Sequence, residues 1–109
     1  MAKRVDQNHQ EIVRALRDHP GVSLFSIASL GKGIPDVVVG YRGVTILVEI
    51  KARTGKLNPQ QALWHFRWHG SPVVILRSVK DADHLVTNID AHLKHFGVAL
   101  SQTLTAETP

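Results

Sequence analysis

Apolar positions change their spacing several times along the chain, and each change predicts an element. Over residues 6–18, Ile12 and Leu16, with Val5 just before and Val13 beside them, fall near one face of a helix that His19-Pro20-Gly21 ends. Residues 22–28 are rich in β-formers and predict a first strand. Gly31-Lys32-Gly33 then breaks the pattern before Ile34-Pro35-Asp36. Two β-branched runs, 37–40 and 44–51, lie around Gly40-Tyr41-Arg42-Gly43 and predict a hairpin, although the turn lacks Asn-Gly or Asp-Gly. The stretch through Val48 is apolar at successive positions, as expected of strands covered by helices on both faces. Asn58-Pro59 supplies an N-cap and a first-turn proline for a helix reaching about His69, which Gly70 closes. Residues 72–77 predict another strand. Residues 81–96 predict a second long helix, with Leu85, Ile89, Leu93 and Phe96 spaced four, four and three apart.

The order is therefore α-β-β-β-α-β-α, an α/β fold with a mixed sheet flanked by helices. Its last strand–helix–strand crossover makes at least one parallel pair. No internal repeat, low-complexity tract or linker interrupts the pattern, so residues 1–96 read as one domain. Residues 97–109 are small and polar and read as a tail, frayed or carrying a short edge strand over 98–100.

Composition narrows the class without choosing a function. A chain of 109 residues buries roughly two-thirds of its unfolded surface, enough for a core of its own. With 43% hydrophobic and 20% charged residues it resembles an ordinary globular protein rather than a disordered one. The absence of cysteine excludes a disulfide scaffold, a thiolate zinc site and a cysteine nucleophile. The start, MAKRVDQNHQ, has no apolar core of a secretory signal, and the longest apolar runs are too short to span a membrane. A cytoplasmic protein is the expectation. Thirteen Lys and Arg against nine Asp and Glu give a net charge of +4, which permits a polyanionic partner without demanding one.

The chemistry lies in GIPDVVVGYRGVTILVEIKA. Alternate strand residues share a face, so Glu49 and Lys51 point to one side and Ile50 to the other. A charged pair ending a run as apolar as VTILVEI needs a reason. With the turn centred between Tyr41 and Arg42, Asp36 lies opposite Leu47, and Glu49 is its diagonal neighbour on the same face, about 7–8 Å away at the backbone. Two carboxylates so placed can share one cation, and a one-residue slip would send them to opposite faces. With the Ile50 backbone carbonyl and waters they make an all-oxygen environment, which Mg²⁺ or Mn²⁺ prefers. Lys51, beside two carboxylates, is expected to stay protonated, to stabilise negative charge on a phosphoryl oxygen and to orient a water that the ion activates. The plainer reading makes Asp36 a solvated turn residue after proline and E-x-K a chance triplet. It gives Asp36 no reason to face Glu49.

GIPDVVVG, then EIK thirteen positions after the aspartate, then LNPQQALWHFRWHGSPVVILRS, together resemble a VRR-NUC domain. This is the virus-type replication-repair nuclease branch of the PD-(D/E)xK superfamily, and the likeness runs from the first helix through Arg77. The resemblance implies a restriction-endonuclease-like core and metal-dependent phosphodiester hydrolysis. It also implies Glu11, Asp36, Glu49, Lys51 and Gln61 as active-site residues. Stand-alone members resemble phage and bacterial nucleases that dimerise and cut branched DNA, so a homodimer resolving four-way (Holliday) junctions is what the likeness leads one to expect. The basic stretch before the PD motif is thin here, only Lys32.

Several of these residues have a second reading. With Asn8 as N-cap, Glu11 sits at N3 of a capping box; the resemblance instead brings it to the metal site, through water. Gln61 likewise sits three residues behind Asn58, as a capping residue or, on the resemblance, as an amide aimed at Lys51 or the scissile phosphate. Gln61, His65 and His69 share a helix face, where His65 reads as at best a group behind the site. Trp64 and Trp68, one turn apart, read as core or dimer-interface packing ahead of base stacking. Arg53 and Lys56, directly after the ExK strand, are the best phosphate-binding candidates, with Arg42 and Lys32 next, while Arg67 and Arg77 are candidates more simply read as scattered surface charge. No appended sequence-reading module is present, so selectivity is expected to follow DNA shape. Two alternatives remain: the same chemistry on flaps, ends or single strands, and a non-catalytic DNA-binding module.

Overall fold

Two left-handed residues at one turn set the register of the sheet. In the computed structural model, which describes the backbone of residues 2–107 and the side chains of residues 7–94, β1 (Ser23–Ser26), β2 (Val37–Tyr41), β3 (Val44–Ile50) and β4 (Val73–Leu76) form one sheet in that order. The helices are α1 (Ala2–Asp18), α2 (Pro59–Arg67) and α3 (Val79–Glu107). β2 is antiparallel to both its neighbours, β1 and β3, whereas β4 runs parallel to β3. The expected α-β-β-β-α-β-α order and mixed sheet are present, with the parallel pair made by the crossover through α2.

β2 and β3 are joined by Arg42 (φ 52°) and Gly43 (φ 82°), the paired left-handed residues of a two-residue hairpin turn. Such a backbone costs a non-glycine residue about 1 kcal/mol. An anchoring contact offsets it: Asp90 Oδ1 on α3 accepts hydrogen bonds from Arg42 Nη1 and Tyr41 Oη, each at 2.8 Å. The turn lies one residue later than the sequence pattern suggests, and Leu47 pairs with Val38 rather than facing Asp36.

Strand alternation sorts the two faces of the sheet. Val37, Val39, Ile46, Val48, Ile50 and Leu76 form one apolar cluster with Leu24 of β1, Ile12 and Leu16 of α1 and Ala82 and Ile89 of α3. Leu47 and Glu49, on the other parity, are buried outside that cluster. α1 and α3 pack against each other, and His19 Nε2 meets Asp83 Oδ1 at 2.9 Å near the end of α1.

Several boundaries differ from expectation. α1 begins at Ala2, so Asn8 is interior to the helix and cannot cap it. The segment after β1 becomes a 3-10 turn, Ala28–Leu30, rather than more strand. α2 stops at Arg67 because Trp68 takes extended dihedrals (φ −79°, ψ 125°), and His69 therefore leaves the face shared by Gln61 and His65. α3 continues to Glu107 in place of the tail and edge strand: a single glycine, Gly97, costs a helix only about 1 kcal/mol, and no proline follows it before Pro109. The side chains of Val5 and Phe96 lie outside the described residues. Among the described residues, no helix is long and apolar enough to cross a membrane.

Ile12 is 0% exposed at the centre of the cluster. Ile12→Ala should lower stability in urea titration by about 2–5 kcal/mol, whereas exposed Arg14→Ala should leave it within about 0.5 kcal/mol.

Candidate active site

Asp36 and Glu49 meet at the end of the hairpin remote from its turn. Asp36 follows the buried Pro35 and is stitched between two strands: its N–H donates to the Val48 carbonyl at 3.0 Å, and its carbonyl accepts from the Ile27 N–H at 2.8 Å. Its side-chain Oδ2 accepts from the Ile50 N–H at 2.7 Å, which folds the carboxylate over β3. Glu49, 2% exposed, is the one buried charged side chain among the described residues. The two carboxyl groups are close enough for Asp36 to act directly on the ionisation of Glu49. They lie closer than the diagonal expected from sequence. Moving the turn by one residue shifts both strands' numbering together, so parity survives and only the pairing changes.

Burial first, then the hydrogen bond and charge of Asp36, push the Glu49 carboxyl up to about 8, with Lys51 opposing. Two acids in one dry pocket cannot both ionise cheaply, so at neutral pH Glu49 holds a proton. Its Oε1 is buried without a hydrogen-bond partner. A buried polar atom left in this state calls for an occupant, and two carboxylates beside a strand-end main chain offer only oxygen ligands. That donor set fits a hard divalent cation and not a zinc site.

Lys51 leaves β3 on the Glu49 side, and its Nζ donates to Gln61 Oε1 at 2.8 Å. The same oxygen accepts from the Asn58 N–H at 2.9 Å, while the Gln61 N–H donates to Asn58 Oδ1 at 2.8 Å. Both readings of Gln61 therefore hold at once: it closes the capping box of α2 and clasps the lysine. One turn further, His65 Nε2 is buried and unpartnered. Burial, and secondarily the Lys51 charge, hold its pKa below the ordinary histidine value, so the ring beside the ammonium is neutral.

The other candidates are distributed unevenly. Glu11 is exposed and accepts from Gln7 Nε2 at 3.1 Å. Among the described residues no three His, Cys, Asp or Glu side chains form a group able to hold a metal, so Glu11 stands apart from the Asp36–Glu49 pair. Arg53 and Lys56 are exposed on the loop that leaves β3 beside the pair. Arg42 is elsewhere: the whole of β2, Val37–Tyr41, separates it from Asp36, about 20 Å, and its guanidinium is engaged by Asp90 at 2.8 Å. Lys32 borders a cleft on α2.

Two supporting residues escaped the sequence reading. Asn8 Nδ2 donates to the carbonyls of Lys51 (3.2 Å) and Arg77 (3.4 Å), tying α1 to the ends of β3 and β4. Arg77 Nη1 reaches the carbonyls of Ala52 (2.8 Å), Arg53 (3.4 Å) and Gly55 (2.6 Å), clasping the loop after Lys51. An asparagine, a poor helix former, amid an amphipathic helix was the available signal for the first. For the second it was an arginine ending an aliphatic strand that pairs with the ExK strand.

No family model matches the sequence, and no curated protein matches it. Among solved structures, one described as a VRR_NUC domain matches with a TM-score of 0.63 and 26% sequence identity, covering 76% of this chain and 94% of its own. With its mixed four-stranded sheet flanked by helices, and its acids and lysine at the end of the central strands, the chain has the restriction-endonuclease-like fold of a VRR-NUC domain.

Proposed function

We propose that this chain is a Mg²⁺- or Mn²⁺-dependent deoxyribonuclease that hydrolyses phosphodiester bonds in branched DNA, acting as a homodimer on four-way junctions. The observation that carries the reading is Glu49: a carboxyl buried against a second carboxyl, with one oxygen unpartnered, on the strand face that also bears a clasped lysine. The similarity to a VRR_NUC domain supports the same chemistry.

Asp36 and Glu49, with the Ile50 carbonyl, would hold the ion, and Glu11 would contact it through water. When bound, the cation supplies Lewis acidity to the phosphoryl oxygen and lowers the pKa of a water. Lys51, held by Gln61, would donate to the phosphoryl oxygen on which negative charge develops. Gln61 Oε1 holds that ammonium in place and accepts no proton. Arg53 and Lys56 bind flanking phosphates on a loop stiffened by Arg77. Such contacts confer affinity and steep salt dependence without sequence readout. One chain carries one such site, whereas symmetric cutting of a two-fold junction needs two in matched orientation, which a two-fold dimer presents.

Cleavage of a labelled panel of junctions, flaps, ends, single strands and duplexes tests the substrate. Junctions should be cut fastest in Mg²⁺ or Mn²⁺, and chelator should stop cutting while binding persists. Asp36→Ala, Glu49→Ala and Lys51→Ala should each lower cleavage by at least about 100-fold, with DNA affinity retained. A non-catalytic module would instead show binding and no cutting of any substrate, indifferent to Glu49→Ala. Light scattering at micromolar concentration should give twice the 12.0 kDa chain mass; a monomer would remove the dimer.

Gln61 and Asn58 separate capping from catalysis. Asn58→Ala and Gln61→Ala should each cost about 1 kcal/mol of stability, but Gln61→Ala alone should also slow cleavage, read as lowered kcat.

Glu49 gives the pH dependence. Unfolded, it ionises near 4.5; folded, near 8. Between these values the folded chain binds the extra proton, so metal-free stability falls as pH rises. Added Mg²⁺ competes with that proton and should raise Tm more at pH 8 than at pH 6. Glu49→Gln should raise metal-free Tm at pH 8 and abolish the response to Mg²⁺.

A further inference from the structure

We infer that the cleft between α2 and the Gly31–Gly33 loop is a stacking site for an unpaired nucleobase adjoining the scissile phosphate. This rests on the nuclease reading and narrows its substrate to DNA with an unstacked base beside the cut.

The cleft encloses about 420 Å³ and is lined by Lys32, Gln60, Leu63, Trp64, Arg67 and Trp68. Its floor is aromatic: the indoles of Trp64 and Trp68 stack with centroids 5.0 Å apart and planes 16° from parallel. Trp68 is 40% exposed and Leu63 47% exposed, so this surface faces solvent rather than the core. Its rim carries two cations, Lys32 and Arg67, and no acid. An aromatic floor with a cationic rim complements a base attached to phosphates, since every base offers a π-face and every linkage a negative charge.

The backbone around Lys32 is built to present it there. Gly31, Lys32 and Gly33 are successively left-handed (φ 64°, 57° and 82°), a conformation costing a lysine about 1 kcal/mol. A Cβ on Gly33 would stand 2.4 Å from the Gln60 carbonyl, so the loop lies directly on the first turn of α2. Backbone strain held by close packing places Lys32 at the edge of the cleft.

The cleft also lies beside the reacting groups. Gln60 and Trp64 line it, while the next residues, Gln61 and His65, face Lys51. One helix width, about 10 Å, separates stacked base from scissile phosphate. A base paired and stacked in a continuous duplex cannot reach the floor without being extruded; one at a branch point can.

Both tryptophans of the chain line this cleft, so intrinsic tryptophan emission reports on it alone. The test is a titration in EDTA with a 12-nucleotide oligothymidine and with a closed hairpin duplex, binding being followed in parallel by anisotropy of a labelled strand. The single strand should quench the emission and the duplex should bind with little quenching. Trp68→Leu should weaken single-strand binding about tenfold. Lys32→Gln and Arg67→Gln, which alter exposed side chains only, should weaken it severalfold with unchanged Tm.

Oligothymidine binding with unaltered emission, or with full affinity in Lys32→Gln and Arg67→Gln, would overturn the inference. Emission that changes with protein concentration alone, together with dimer formation by sedimentation, would overturn it too, by making a second copy the occupant. Because binding is read without metal, a chain that quenches but never cuts upholds the cleft and defeats the nuclease reading. A chain that cuts without quenching defeats the cleft alone.

Discussion

A carboxyl group that would be ionised in water is kept almost entirely from it, against another carboxyl, and the surrounding architecture follows from that confinement. Glu49 can be buried only where strands on either side exclude solvent, which requires β3 to be central in the sheet. Asp36 can reach it only because β2 is antiparallel to β3 and begins beside Val48. The confinement is unfavourable while the pocket holds protons alone, and the dication proposed above would relieve it.

The second organising feature is a single oxygen. Gln61 Oε1 receives both the N-terminal amide of α2 and the Lys51 ammonium, so the helix cannot fray without releasing the lysine, and the lysine cannot swing away without weakening the helix. Asn8 and Arg77 extend this economy by using main-chain carbonyls next to Lys51 as their acceptors. Main-chain carbonyls hold the site together, and Arg53 and Lys56 on the adjoining loop stay exposed.

Much of this was legible before any coordinates. Helix periodicity, the Asn58-Pro59 start and the aliphatic strands define the element order because each is a local property of a few residues. The shared face of Glu49 and Lys51 follows from strand alternation alone. What escaped depends on distant partners. The turn position was misjudged because Arg42 is unfavourable in a left-handed conformation unless Asp90, far along the chain, receives its guanidinium. The end of α2 is set by Trp68, whose indole N–H donates to the Ser71 carbonyl at 2.7 Å after the helix has stopped. Asn8 and Arg77 act through carbonyls that any residue possesses, so nothing in the partners' identity announces them.

The pleat of the hairpin bears on how such a site can vary. Neighbouring strands that slide past one another return the two acids to a common side only at every second rung. Intermediate rungs would put an apolar side chain in place of an acid and turn an acid into the hydrophobic layer. Drift in this ribbon is therefore quantised: chains bearing this motif can differ by whole pleats, never by half of one, and still keep their chemistry.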